Sequence, residues 1–451
     1  MPQKKGSSQA IIVLLITAIF SIFVLQAAMQ EKETGTEIPR GADLAVIGGT
    51  TAALLSALEG AAHGAQVFLF PNGQEMGEDV PFLVAGGLAA ALTPPQKELG
   101  IEFGPEFLKE KIKEHGGGIN DPVLLDSFIL SQDLFRKSEE LSGLCFDLLP
   151  HPEVRPYLHL SAHPHSDLLF KQNLLVKIKN STIMVKDDKV KELIFSPEGQ
   201  IEALLLENAR GESYRFYIQA VILADGGYSG DIHRWHEYLP VENLIELRPS
   251  QKGEGLRIAV DLGMDVVQMG FLNTRLLLYS PLEEKFHFLP PDPWENTYFI
   301  NKTGHILSWG ESSPREAINF LLQSLPGGSL IMAPEDRATA FGRFFRRFDE
   351  LEQLMQAYSL DSLPRFPGTR PPSPPYYVAP LRAGLDYTLG GISITSRGEV
   401  KKDGNVVKGL YAAGEIVGGL HGEALLPGMA LSETFFLAKI AGESAARYSQ
   451  R

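Results

Sequence analysis

The longest apolar run of the chain lies at its start. Lys4 and Lys5 precede an uncharged stretch from Ala10 to Met29. This stretch approaches the ~20 residues needed to span a bilayer and exceeds the ~7–15 of a cleaved signal core. Residues 1–30 are therefore expected to form one hydrophobic helix, a signal peptide or an uncleaved signal anchor, and residues 31–42 a polar tether. The pattern then becomes that of a folded body. Asp43 to Ile47 predicts a short buried strand, Thr50 to His63 an Ala/Leu-rich helix, and Gln66 to Phe70 a second apolar strand. Ala220 to Gly227 predicts another apolar strand ending in a small-residue turn. Gly409 to Ala413 predicts a strand that leads through Gly414-Glu415 and a Gly-rich loop into a helix starting near Ala430. Strand ends with Gly-rich turns converge on one crevice when the sheet is doubly wound.

The first of these turns sits where a dinucleotide pyrophosphate binds in a βαβ unit, because small residues let backbone N–H groups and a helix N-terminus approach the phosphates. Here the glycine pattern is loosened to Gly48-x-Thr50-x-x-Ala53. The carboxylate expected at the end of the second strand is absent, since Phe70 is followed by Pro71 and Asn72. By itself this turn fits a nucleotide site and a Gly-rich turn of a generic α/β domain equally well.

Composition narrows the classes. The chain has 451 residues, 44% hydrophobic, with a formal charge of −14 and a single cysteine, Cys145. Such a length provides two or three domains and a sizeable core. One cysteine excludes an internal disulfide framework, a multi-cysteine metal site and a C-x-x-C-H haem attachment. The acidic balance argues against nucleic acid as a partner. Without residues 1–30, 39 basic residues face 55 acidic ones, a charge of −16. With the lysines held inside, the body is expected to be extracytoplasmic, periplasmic or secreted, and tethered to the membrane if residues 10–29 are not cleaved.

Seven segments, in order from about Asp43 to Ser444, resemble the fumarate reductase/succinate dehydrogenase flavoprotein family, nearest its soluble flavocytochrome-c-like branch. They are VIGGTTAALLSALEGAAHGAQVFLF, FLVAGGLAAALT, GPEFLKEKIKEHGGGINDPVLL, AVILADGGYSG, GEGLRIAVDLGMDVVQM, DYTLGGISI and GLYAAGEIVGGLHGEALLPGMALSE. The resemblance implies an α/β fold: a Rossmann-like, doubly wound FAD-binding domain (43–247 and 373–451) interrupted by an α+β capping domain (248–372). It assigns Gly48, Gly49 and Thr51 to the FAD pyrophosphate and Gly86-Gly87 to the flavin side. Val190 would lie near the adenine, Asp225-Gly226 near the phosphates, and Gly414-Glu415 at the ribityl or ribose hydroxyls, while Ala430 and Leu431 would offer backbone groups to the isoalloxazine.

The activity the resemblance implies is flavin hydride transfer to or from a C–C bond next to a carbonyl or carboxylate, with an arginine supplying the proton. Arg337 in SLIMAPEDR is the candidate acid, and Glu311 and Arg315 in GESSPREA the candidate proton relay. At the substrate positions Arg275 and Asp386 stand where the family has histidines, followed by Tyr387, and Leu425 stands where it has a carboxylate-binding arginine. Losing those charge-assisted bonds disfavours a small dicarboxylate. The expectation is thus an FAD-dependent oxidoreductase with a less charged small-molecule substrate and an external electron donor or acceptor. The alternative is an inactive relative serving as a membrane-tethered binding or scaffold protein. Tyr376-Tyr377 are expected in the core, Cys145 buried, and His163-x-His165 in a polar loop rather than a metal site.

Overall fold

The structure is a computed structural model, and it describes residues 42–451 apart from 132, 150–154, 232, 234, 239–243, 281–284, 290–295, 309–319, 322–328 and 367–371. The N-terminal hydrophobic segment and its tether lie outside the described residues, except Ala42, which is not tether but the buried first residue of a strand; Glu311 and Arg315 also lie outside them. Among the described residues no helix is long and apolar enough to cross a membrane.

The chain opens with β1 (Ala42–Ile47), α1 (Thr51–Ala62) and β2 (Val67–Phe70). β1 and β2 pair in parallel, Leu44 opposite Val67 and Ile47 opposite Phe70. Every residue of β1 but Asp43 is buried, as a parallel strand covered on both faces requires. α1 is Ala-rich on the side that meets the C-terminal helix, and Gly60 there leaves room for the Leu44 side chain, which a Cβ would approach to 2.6 Å. After α2 (Val80–Gly86) and several helices, β3 (Met184–Val185) extends the sheet beyond β2. A hairpin of β4 (Lys189–Phe195) and β5 (Ile201–Glu207) leads into β6 (Ser213–Leu223), which pairs in parallel with β1.

α3 (Glu254–Asp261) marks the passage towards a second sheet. Its strands are β7 (Leu272–Ser280), β8 (Lys285–Phe288), β9 (Tyr298–Asn301), β10 (Ile306–Ser308) and β11 (Ser329–Ala333), with α4 (Glu335–Ala340) after β11. β12 (Tyr376–Thr388), 13 residues long, joins β7 and β11 in the order β8-β7-β12-β11-β9-β10. This second lobe has its own core around Phe299, Ile331 and Leu381. The division at 372/373 falls just before β12, yet that strand is hydrogen-bonded into the cap sheet over most of its length, so the return to the first lobe comes only near Thr388.

The chain then completes the first sheet with β13 (Glu399–Lys402) and β14 (Asn405–Ala412), giving the order β13-β14-β6-β1-β2-β3. It ends in α5 (Met429–Ser449), 21 residues long, whose buried Phe435, Phe436, Ala438 and Ala441 belong to the main core with α1. The C-terminal ends of β1, β6 and β14 therefore lie side by side, and the first turns of α1 and α5 belong to the same lobe.

Two expectations change. Cys145 is exposed, because it falls between Leu144 and Phe146, which take the inward positions of an alternating segment. Of the tyrosine pair, Tyr376 is buried, whereas the Tyr377 hydroxyl reaches outward to donate to Glu335 (2.8 Å).

Candidate active site

At the end of β1 the backbone turns sharply into α1. Gly48 has φ +129°, and a Cβ there would stand 2.3 Å from the Ala224 carbonyl oxygen. This close approach of the β1 and β6 ends is what only glycine permits. Thr50, which stands where the pattern has its second glycine, caps the helix: its hydroxyl accepts from the Ala53 N–H (3.3 Å) and donates to the Ala224 carbonyl (2.6 Å). The turn after β14 is equally tight, since a Cβ on Gly414 (φ +79°) would meet the Ala52 methyl at 2.4 Å. Thr50, Ala52, Asp79, Leu83, Gly226, Arg248, Tyr387, Glu415 and Thr434 line a narrow cleft between these turns.

The expected cofactor residues gather here. Gly48, Gly49 and Thr51 form the β1–α1 turn, Asp225 and Gly226 the turn after β6, and Gly414 and Glu415 the turn after β14. Ala430 and Leu431 lie in the first turn of α5, where amide N–H groups have no intrahelical acceptor. Gly86 ends α2, and Gly87 follows it with φ +77° close to the His159 carbonyl. Val190 is in β4, its N–H held by the Asn72 side chain (3.0 Å).

Four buried titratable groups that the sequence did not single out as a set dominate the electrostatics. Arg248, 4% exposed, pairs through Nη1 with the Glu415 carboxylate and donates to the Asp386 carbonyl (3.3 Å). Its guanidinium lies 5.5 Å from the Phe82 ring centre and 5.8 Å from that of Tyr387. Burial would strip its proton, but Glu415, Asp79 and Asp386 outweigh that and hold it above its ordinary value. Glu415 accepts from the Thr388 N–H (2.8 Å) and hydroxyl (3.0 Å). Burial raises its carboxyl, opposed by Arg248 and Thr388. Asp79 accepts from the Thr51 N–H (2.8 Å) and hydroxyl (2.7 Å), and burial raises it too. Asp225 accepts from the Gly255 N–H (2.6 Å), and burial pushes its carboxyl up to about 6.

The substrate candidates occupy the end of β12, where neighbouring residues face different partners. Asp386 accepts from the Arg275 Nε–H (2.7 Å), Tyr387 donates to Glu433 (2.6 Å), and Thr388 faces Glu415. His421 completes a buried set, its Nε2 lying 2.7 Å from the same Glu433 oxygen. Leu425 is half-buried against the core. Arg337 lies apart from this group on α4 of the cap, half-exposed, with Nε 3.8 Å from Asp336. His163 and His165 are exposed.

Known proteins share this architecture. Residues 336–431 match the model of an FAD binding domain. The chain is 25% identical to a fumarate reductase (cytochrome) of Shewanella frigidimarina over 462 aligned positions, covering 91% of this chain and 78% of the relative. The open form of a flavocytochrome c3 fumarate reductase superposes with a TM-score of 0.75 at 20% identity, covering 94% of this chain and 81% of that one. In sequence and fold this chain is similar to the fumarate reductase/succinate dehydrogenase flavoproteins. It is an FAD-dependent oxidoreductase. The fold is also shared by a 3-ketosteroid-delta4-(5alpha)-dehydrogenase of Rhodococcus jostii RHA1, with a TM-score of 0.72, 19% identity and coverage of 92% and 98%.

The backbone of the crevice fits FAD: glycines bring strand ends together, two helix starts belong to it, and Glu415 offers a carboxylate to hydroxyl groups. The side chains fit less simply, because Asp79 occupies the acceptor position at the start of α1. Arg248 and Asp79 escaped the sequence reading because their partners lie 167 and 28 positions away. The only local hint was Gly77-Glu78-Asp79, acidic residues shortly before Gly86-Gly87.

Proposed function

We propose that this oxidoreductase acts on a C–C bond next to the carbonyl of a neutral or weakly charged substrate rather than on a small dicarboxylate. The observation that carries this is the Arg275–Asp386 pair: at 2.7 Å, a carboxylate that is 4% exposed already takes the cation best placed to hold a substrate carboxylate. An unpaired acid would repel a dicarboxylate, and a paired one withholds its arginine from it. Leu425 adds apolar surface in the same loop as His421. The Rhodococcus neighbour was solved with 4-androstene-3,17-dione, so this fold has room for a neutral ketone.

Bound FAD supplies a two-electron hydride donor or acceptor. The chain's own part is to orient the substrate and move a proton. We assign the proton to the Arg337 guanidinium, with Glu311 and Arg315 as its relay, on the strength of the sequence resemblance. Cap movement would be needed to carry Arg337 from its half-exposed position to the substrate. The electron partner is external, and the body is exported by its N-terminal segment.

The test is steady-state turnover with a reduced viologen, comparing fumarate with neutral conjugated ketones. Turnover of a ketone but not of fumarate is expected, with a loss of ~10²–10⁴-fold in Arg337→Ala. Efficient fumarate reduction would refute the substrate class, and full activity of the variant would refute Arg337. Failure of the purified chain to take up flavin would favour the inactive binding protein instead. N-terminal sequencing of the exported protein decides between cleavage and anchoring.

A further inference from the structure

The loop between β2 and α2, residues 71–79, is bonded across the crevice through the crevice's own donors. Asn72 Oδ1 accepts the Val190 N–H (3.0 Å), Gln74 Oε1 the Gly49 N–H (2.8 Å), and Asp79 Oδ1 the Thr51 N–H (2.8 Å). Gln74 Nε2 donates in return to the Asp225 carbonyl (2.7 Å), and the Gly77 N–H to the Gly49 carbonyl (2.7 Å). One short loop thus binds the turns after β1 and β6 and the strand β4 at Val190.

The substitution is also electrostatic. A helix start beside a Gly-rich turn favours an anion, normally a phosphate. Here the anion is Asp79, 5% exposed, and the nearest buried cation, Arg248, is divided between it and Glu415. The remaining cleft holds about 10 Å³, room for no more than one water.

We propose that residues 71–79 are a strap that closes the nucleotide half of the crevice by putting the Asp79 carboxylate in the place of the cofactor diphosphate. FAD must then displace the strap to load, and its affinity is what remains after that exchange. Once Asp79 withdraws, Arg248 becomes the cation that meets the diphosphate. This inference rests on the FAD assignment above.

The experiment is a flavin-fluorescence titration of the full-length, flavin-free chain with FAD, alongside its thermal midpoint without FAD. Three proteins are compared: wild type, Asp79→Ala, and the double variant Asn72→Ala/Gln74→Ala. Loss of one charge-assisted competitor should tighten FAD binding by ~10- to ~100-fold in Asp79→Ala. The flavin-free Asp79→Ala protein should also melt lower than wild type, since Thr51 loses its acceptor. The double variant, altered only at partly exposed positions, should also bind FAD more tightly, and it upholds the strap if Asp79→Ala fails to fold. FAD binding by wild type with equal or weaker binding by the variants would overturn the strap and leave the cofactor assignment standing. No binding by any of the three would overturn the cofactor assignment, and the strap with it.

Discussion

Asp225→Asn isolates what it costs this fold to keep a carboxylate behind the cofactor turn. The Asp225 side chain is 3% exposed; Oδ2 accepts from the Gly255 N–H, and Oδ1 has no hydrogen-bond partner among the described residues. Burial, with a smaller push from Glu254, raises its pKa from 3.8 to about 6, against the pull of the Gly255 N–H. The folded chain therefore holds this proton more tightly than the unfolded chain does. Stability contributed by the protonated form is fully present below 3.8, falls as pH rises, and is lost once pH passes about 6. At 1.36 kcal/mol per pH unit, the cost at neutral pH is about 3 kcal/mol. Asparagine keeps the acceptor for Gly255 and cannot ionise, but it buries an amide with an unmet donor, worth about 1 kcal/mol. Asp225→Asn should therefore be about 2 kcal/mol more stable than wild type at about pH 8, with the advantage gone near about pH 4.5 and reversed, towards about 1 kcal/mol, at lower pH. Thermal midpoints of both proteins across this range, without FAD, provide the difference curve. Asp79 and Glu415, also raised by burial, are common to both proteins and cancel. A variant no more stable at about pH 8, or a difference independent of pH, would refute the reasoning.

Arg248→Ala should lower stability by about 3–5 kcal/mol, because Glu415 and Asp79 stay buried without their cation; the thermal midpoint reports it. Replacing the pair together, Arg248→Met with Glu415→Gln, should lose much less in the same measurement, since one of the stranded charges goes as well. Tyr387→Phe removes a buried bond to the Glu433 carboxylate and should cost about 1.5–3 kcal/mol by denaturant titration, with the loss shared by the His421 contact in a double-mutant cycle.

The sequence carried the fold at the level of its local periods. The alternation and glycine punctuation around β1, α1 and β2 appear in the structure within a residue or two, as do the end of β14 and the start of α5. Those signals are local, since a buried parallel strand and its turn are written in consecutive residues. The interior of the crevice was hidden for the opposite reason. Whether Asp79 is a solvated loop acid or a buried cap depends on Thr51 and Arg248, far off in the chain. His421 and Glu433 stood in plain view within the C-terminal segment, but nothing local says that they face each other and Tyr387. Asp386 was read as a lost donor; its pairing with Arg275 required the register of β7 against β12, which places Arg275 opposite Gly384.

That same strand has a mechanical consequence. β12 begins at Tyr376 inside the cap sheet and ends at Thr388, whose N–H and hydroxyl are both clasped by Glu415 in the first lobe. It runs as one continuous strand between the two lobes, with a bulge at Asp386. Any swing of the cap must pull or twist this strand, and the strain arrives first at Glu415 and its partner Arg248. The position of the cap and the packing around the cofactor crevice are therefore geared together, so that opening one tugs directly on the other.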